Sequence, residues 1–269
     1  MSAPNLIDIW APRLLAITRW ELYNEEMKFA QKRFFYPHNP ADRVELEGPE
    51  HHHLTHVLRA KVGERVMLFT GDEFDYNYEI DAIMRDKTVL RYLDLTKNRA
   101  NPTANLTVFQ GSIKHDNLSL IVEKLNEIGA TNLVIFTTDH SNTPAKSINV
   151  DKLQAIANQS CKQCGRSIPL RIHPVIRFDQ MLSALTNFDQ VYYADRGEKR
   201  TKLSSNPASE MGEASKTALV IGPEGGFSIE ENLALIERST SITLGSRTLR
   251  SETACLVAAA LVLNKLGEI

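Results

Sequence analysis

The sequence predicts an α/β protein: a mainly parallel sheet wound with helices, preceded by a small β-barrel region. Two observations lead to it. Between residues 32 and 99, short β-type runs at 66–70, 76–83 and 88–93 are split by the turn-like stretches GDEFD and RDK, a spacing that suits a small barrel. From Leu106 onward, strand-like runs alternate with stretches of helical periodicity, which is the grammar of parallel strands joined by helical crossovers.

Taken in order, residues 1–26 read as a poorly ordered N-terminal extension, because Met27 opens a new pattern, MKFAQKRFFYPHNP. Asp8, Arg13 and Arg19 interrupt its apolar residues, so it lacks the unbroken core of a signal peptide. Residues 27–99 form the barrel region, 98–105 with Pro102 the linker, and 104–269 the α/β domain. In that domain 106–110 is a strand, and Asp116 caps a helix whose Leu118, Ile121, Val122, Leu125 and Ile128 recur at helical spacing until Gly129 stops it. A strand at 133–137, a helix at 150–163, a strand near 171–176, a short helix around Met181 and a strand at 190–194 continue the series. After a strand at 217–221 comes a glycine-rich loop, then a helix opened by a capping box of Ser228 and Glu231. The last strand is expected at 241–244. Ser251 caps a final helix, apolar nearly all round, which must be buried in the core or against a partner subunit.

Composition narrows the function classes. The 269 residues carry 31 Lys and Arg against 33 Asp and Glu, so any nucleic-acid surface must be local. Cys161, Cys164 and Cys255 are too few for a disulfide framework and fit a reducing, cytosolic setting. The longest apolar run, 254–263, is too short to span a membrane.

Two segments carry chemistry. The run IGPEGG, from Ile221 to Gly226, lies between a strand and a capped helix, where glycines let backbone amides approach a ligand at a helix N-terminus. A tight strand-to-helix turn is the equal alternative. The run matches neither the dinucleotide nor the P-loop fingerprint. The second segment, LGSRTLRSETA from Leu244 to Ala254, sets Arg247 and Arg250 before a helix N-terminus, which suits an anionic ligand or developing negative charge. Its alternative is an ion pair of either arginine with Glu252.

Between Lys152 and Phe178 stand Lys152, Lys162, Arg166, Arg171 and Arg177 with no acidic residue. That pattern makes either a phosphate-contact surface or a solvated face. Cys161 and Cys164 have no second cysteine pair to complete a zinc site, and a redox pair ordinarily opens a helix. Of His51, His52, His53 and His56, at most two can converge, so no metal is expected.

With these motifs in place, the chain resembles the RsmE family of 16S rRNA uridine-N3 methyltransferases, in the SPOUT class of knotted enzymes that use S-adenosyl-L-methionine. The match runs from about Arg33 to the C-terminus. Arg33-Phe-Phe and HHLTHVLR, from His52 to Arg59 by way of Leu54, resemble the family's PUA-like RNA-binding domain. IGPEGG followed by LGSRTLRSETA is the most specific part; Lys114, Glu127, Gly129, the QCGR of Gln163 to Arg166, and Pro169 fit other family motifs. Ser119 and Lys162 stand where glutamate is usual, and His140 where arginine is usual.

The resemblance implies a trefoil knot whose 222–226 loop and 244–254 segment wrap the cofactor. It implies cofactor contacts by Ile221, Gly222, Pro223, Glu224, Gly225, Gly226, Leu244, Gly245, Leu249, Thr253 and Ala254. Arg247 or Arg250 would stabilise the uracil anion, and Glu252 would orient them or take the proton. The rRNA contacts implied are Arg33, His52, His53, Arg59, Lys114, Lys162 and Arg166. A homodimer acting on the small ribosomal subunit, without metal or membrane, completes that expectation. Another knotted methyltransferase acting on a tRNA base or ribose, or a catalytically weakened RNA-binding assembly factor, are the alternatives.

Overall fold

The computed structural model describes residues 32–194 and 215–269. The extension expected over 1–26 lies outside the described residues. The chain divides into two units between Arg99 and Ala100.

The first unit contains β1 (Arg33–Phe35), β2 (Arg43–Glu47), a short helix α1 (Gly48–His52) running into a π-helical turn (His53–Val57), β3 (Arg65–Phe69), β4 (Phe74–Ile83) and β5 (Lys87–Lys97). They form one five-stranded sheet in the order β1-β3-β4-β5-β2, with β1 parallel to β3 and the other pairs antiparallel. Register shifts in the β4–β5 pair, between Asn77 and Tyr78 and between Ile80 and Ala82, bend the sheet. Its alternate side chains, among them Phe34, Val44, Leu46, Val66, Leu68, Tyr78, Ile80 and Leu90, close around Leu54 from the π turn.

Arg33 belongs to that interior, which corrects its expected role on RNA. It is 5% exposed, and its guanidinium donates to both carboxylate oxygens of Asp75 at 2.8 and 3.0 Å. Asn98 Nδ2 donates to the same carboxylate at 2.7 Å. A charge so enclosed must be paired, and here the partner is in the chain itself.

The second unit is a sheet of parallel strands clad with helices on both faces. It runs β6 (Asn105–Gly111), α2 (His115–Ile128), β7 (Asn132–Thr137), α3 (Val150–Cys164), β8 (Arg171–Ile172), β9 (Ile176–Arg177), α4 (Phe178–Ala184), β10 (Gln190–Ala194), β11 (Lys216–Ile221), α5 (Ile229–Arg238), β12 (Thr240–Ile242) and α6 (Ser251–Lys265). The strand order is β12-β10-β11-β6-β7-β8, with β9 also on β7, and every pair is parallel. Leu106, Val108, Leu133, Ile135, Leu219 and Ile221 face α2, α3 and α6. Their neighbours Phe109, Val134, Phe136, Ala218 and Val220 face α4 and α5. Buried on both faces, these strands read as continuous apolar runs.

Several boundaries differ from expectation for local reasons. Lys114 occupies the N-cap of α2, so Asp116 lies in its first turn, where it complements the helix dipole. Arg250 is the N-cap of α6, and Ser251 is already helical. The strand expected near 171–176 is two short pieces separated around Pro174, which has no N–H for a ladder. The last strand ends at Ile242, two residues early. α6 is only partly covered: Cys255, Ala258, Ala259, Val262 and Leu263 are buried, while Val257 and Leu261 are 38% and 42% exposed.

Candidate active site

The site lies at the carboxyl ends of the central strands, where open parallel sheets bind ligands. β11 delivers Ile221 and the glycine loop to that end, and β6, its neighbour, delivers Gln110 and Gly111. The loop returns through Phe227 to Ser228, whose hydroxyl accepts from Glu231 N while Glu231 Oε2 accepts from Ser228 N, the reciprocal capping box. Glu231 is buried, and its Oε1 also accepts from Asp139 N at 3.2 Å. One carboxylate thus ties the 138–141 loop to the start of α5.

Two positions in this loop favour glycine for physical reasons. A Cβ on Gly225 would lie 2.6 Å from the His140 carbonyl oxygen, and Gly226 has φ +74°, a left-handed conformation that favours glycine. The floor beneath is pinned by hydrogen bonds. Gln110, fully buried, donates through Nε2 to Ser251 Oγ at 2.9 Å, and Ser251 Oγ donates to the Gly222 carbonyl at 2.6 Å. This relay joins the end of β6, the glycine loop and the first turn of α6.

Above it opens a cavity of about 870 Å³. Ile221, Gly222, Pro223, Glu224, Gly226, Leu244, Gly245, Leu249 and Ala254 line it, as do Arg247, Arg250, Glu252 and Lys114. Two of the expected cofactor contacts do not. Gly225 turns toward His140, and Thr253 sits on the exposed side of α6, because neighbours on a helix point about 100° apart. Asn117, Tyr193, Phe227, Asn232, Ser246 and Thr248 line the cavity without having been named as site residues in the sequence, and Ser251, read there only as a helix cap, lines it too. Tyr193 was findable, since it is the penultimate residue of strand β10, close to the ligand-binding edge. Its hydroxyl donates to Asn232 Oδ1 at 2.8 Å.

The electrostatics are mixed, with Lys114, Arg247 and Arg250 facing Glu224 and Glu252 across one cavity. Among the described residues, neither arginine is paired with Glu252, which sets aside the simple ion-pair alternative. Glu252 Oε2 is shielded from solvent and has no hydrogen-bond partner. A buried carboxylate oxygen without a donor is costly, and its position in the cavity wall marks it for a donor brought by a ligand. Together with the backbone-lined glycine loop, this donor-poor carboxylate and the two arginines suit a ligand bearing both polar groups and charge.

Elsewhere the expected RNA contacts separate. Arg166 is a correction: it is 2% exposed, and its guanidinium donates to the carbonyls of Asn126, Ala130 and Ile168 at 2.8 to 2.9 Å. It ties the loop that follows α3 to the end of α2. Arg177 is paired with Asp179 at 2.7 Å, which further thins the basic 152–178 stretch. Lys114 is exposed at the cavity, and Lys162 is half-buried on α3. In the first unit His52 and Arg59 are exposed, His52 stacks on His56 with ring centroids 4.3 Å apart, and His53 packs edge-on against Phe34.

A family model for the RNA methyltransferase domain matches residues 99–263, and one for the RNA methyltransferase PUA domain matches residues 46–91. The chain belongs to the RNA methyltransferase family. Ribosomal RNA small subunit methyltransferase E of Rickettsia conorii is 29% identical to this methyltransferase, over 82% of this chain and 89% of the relative. The protein of that name from Helicobacter pylori strain J99 is 29% identical over 85% of this chain and 98% of its own. A crystal structure of the Neisseria gonorrhoeae protein of that name, bound to S-adenosyl methionine, superposes with a TM-score of 0.72 at 22% identity, covering 86% of this chain and 96% of that one. The last likeness establishes a common fold.

Proposed function

We propose that this RNA methyltransferase transfers a methyl group from S-adenosyl-L-methionine to N3 of a uridine in small-subunit ribosomal RNA. The observation that carries the reading is the convergence of both motif segments, 221–226 and 244–254, on one cavity at the ends of the parallel strands. Relatives named as small-subunit rRNA methyltransferases span most of the chain and support the substrate.

When bound, the cofactor supplies a methyl group on a sulfonium, open to in-line displacement. The chain's part is to hold donor and acceptor in line and manage one proton. The backbone of Gly222, Pro223, Glu224 and Gly226 and of Leu244, Gly245 and Leu249 would hold the cofactor. Uracil N3 is a weakly acidic imide whose anion spreads onto two carbonyl oxygens. In this reading Arg247 or Arg250 stabilises that anion, and Glu252 takes the proton or orients the arginines; their common place on the cavity wall and the donor-less Glu252 Oε2 support it.

The same reading includes the knotted path of the 244–254 segment and a homodimer in the cytoplasm. Val257 and Leu261, apolar yet exposed on the partly covered α6, support a second copy. It also places Lys114, Lys162, His52, His53 and Arg59 toward rRNA, and the PUA-type match over 46–91 supports the last three.

The test offers small-subunit particles, naked rRNA and tRNA side by side with labelled cofactor, followed by nucleoside analysis. N3-methyluridine in small-subunit RNA is expected. Methylation of tRNA or ribose alone would replace the substrate, and cofactor binding without transfer to any RNA would point to an assembly factor.

A further inference from the structure

Two cysteines stand outside the methyl-transfer site and form a cluster of their own. Cys161 and Cys164 are free thiols in the last turn of α3. Three residues apart, they share a helix face. Ideal helix geometry puts their Cα atoms about 5 Å apart, inside the window of roughly 4.4–6.8 Å that a disulfide spans.

Their sulfurs meet at one side chain. Asn126 Nδ2 lies 3.5 Å from Cys161 Sγ and 3.4 Å from Cys164 Sγ, and the Cys161 thiol faces Asn126 Oδ1 at 3.7 Å. Asn126 is fully buried and cannot move aside, because its Oδ1 also accepts from Leu170 N at 2.8 Å. The two thiols differ in access: Cys161 is 0% exposed, whereas Cys164 is half-buried at the helix end.

Their charge environment differs as well. A hydrogen bond from Cys161 lowers the pKa of the Cys164 thiol, aided by the backbone N–H and the guanidinium of Arg166. The same bond, with burial, pushes Cys161 up. Partly exposed thiols beside fixed positive charge are the reactive ones, and buried apolar thiols are inert. Cys255, fully buried in α6 and pushed up by desolvation, is of the inert kind.

We propose that Cys161 and Cys164 are a redox-active dithiol, which a low-molecular-weight disulfide oxidises to an intrahelical disulfide. The Cys164 thiolate attacks one sulfur of the small disulfide, forming a mixed disulfide and expelling one small thiolate. Cys161 then attacks Cys164 Sγ, and its proton passes to the departing small thiolate. The protein disulfide forms, the mixed bond breaks, and the second small thiol leaves. Two protein thiols are oxidised and one small disulfide is reduced to two thiols. In this order the exposed cysteine attacks and the buried one resolves.

The full-length protein is incubated with glutathione disulfide at neutral pH, and its peptides are mapped by mass spectrometry without reduction. A Cys161–Cys164 link is expected, reversed by a dithiol reductant. Cys161→Ser is expected to stop at a glutathione adduct on Cys164, and Cys164→Ser to leave Cys161 unmodified, with a thermal melt checking that each is folded. In the unaltered protein, brief iodoacetamide treatment is expected to label Cys164 at least about tenfold faster than Cys255. The proposal is overturned if Cys164 is labelled no faster than Cys255, or if the unaltered protein stays a dithiol through the glutathione treatment. None of these readouts depends on methyl transfer.

Discussion

Gln110 Nε2 and Ser251 Oγ, 141 positions apart in the chain, meet at 2.9 Å beneath the cavity. Through the Ser251 hydroxyl, a side chain at the end of β6 reaches the Gly222 carbonyl and holds the glycine loop against the first turn of α6. Ser251→Ala leaves a buried amide and a carbonyl short of a partner, at about 1–3 kcal/mol. Denaturant unfolding is expected to report that loss, and calorimetry to report weaker cofactor binding. Ser251→Thr keeps the hydroxyl and is expected to retain both. Equal loss in the two variants would mean that packing, not the relay, matters.

Gly225→Val tests the loop from its other side. The new Cβ would meet the His140 carbonyl at 2.6 Å, backbone against side chain, so the 138–141 and 222–226 loops must part. Cofactor affinity is expected to fall sharply in a protein that still melts cooperatively. Unchanged affinity would show that the loop's position does not govern binding.

Arg250 adjoins the N-terminus of α6, where aligned dipoles already favour negative charge. Removing one preorganised donor typically costs about a hundredfold to a thousandfold in turnover. Arg250→Ala is expected to show that loss in single-turnover methylation at saturating RNA, with little change in RNA affinity. Arg247→Ala, farther from the helix, is expected to lose some of both. Turnover of Arg250→Ala within about threefold of the parent, less than 1 kcal/mol of barrier, would remove the arginine from the chemistry.

Asp75 holds Arg33 and Asn98 together in the first unit. Asp75→Ala strands a buried guanidinium, a change that typically costs about 3–5 kcal/mol. Circular dichroism during urea unfolding is expected to show the loss as an earlier transition. A transition at the parent's urea concentration would mean that Arg33 finds another anion or reaches water.

Much of this molecule was legible in its residues. The strand-helix alternation after Leu106, the stop at Gly129 and the capping box of Ser228 and Glu231 are local features, set by periodicity and by hydrogen bonds three residues apart. The two motif segments were legible as loops leading into capped helices, but a tight turn or an ion pair would have read the same, and only the fold shows them lining one cavity. Arg33 and Arg166 were misread for the opposite reason. A basic residue in a sequence looks the same whether it faces a phosphate or three carbonyls, and only the folded chain brings Asp75 to one and the end of α2 to the other. Ser251 read as a cap and became a relay, since the Gly222 carbonyl and the Gln110 amide arrive from distant strands. Short-range hydrogen bonding and amphipathic period determine the elements from sequence alone. Which polar groups meet across 141 residues, and which charges are enclosed, is decided by how the sheet brings its strand ends together.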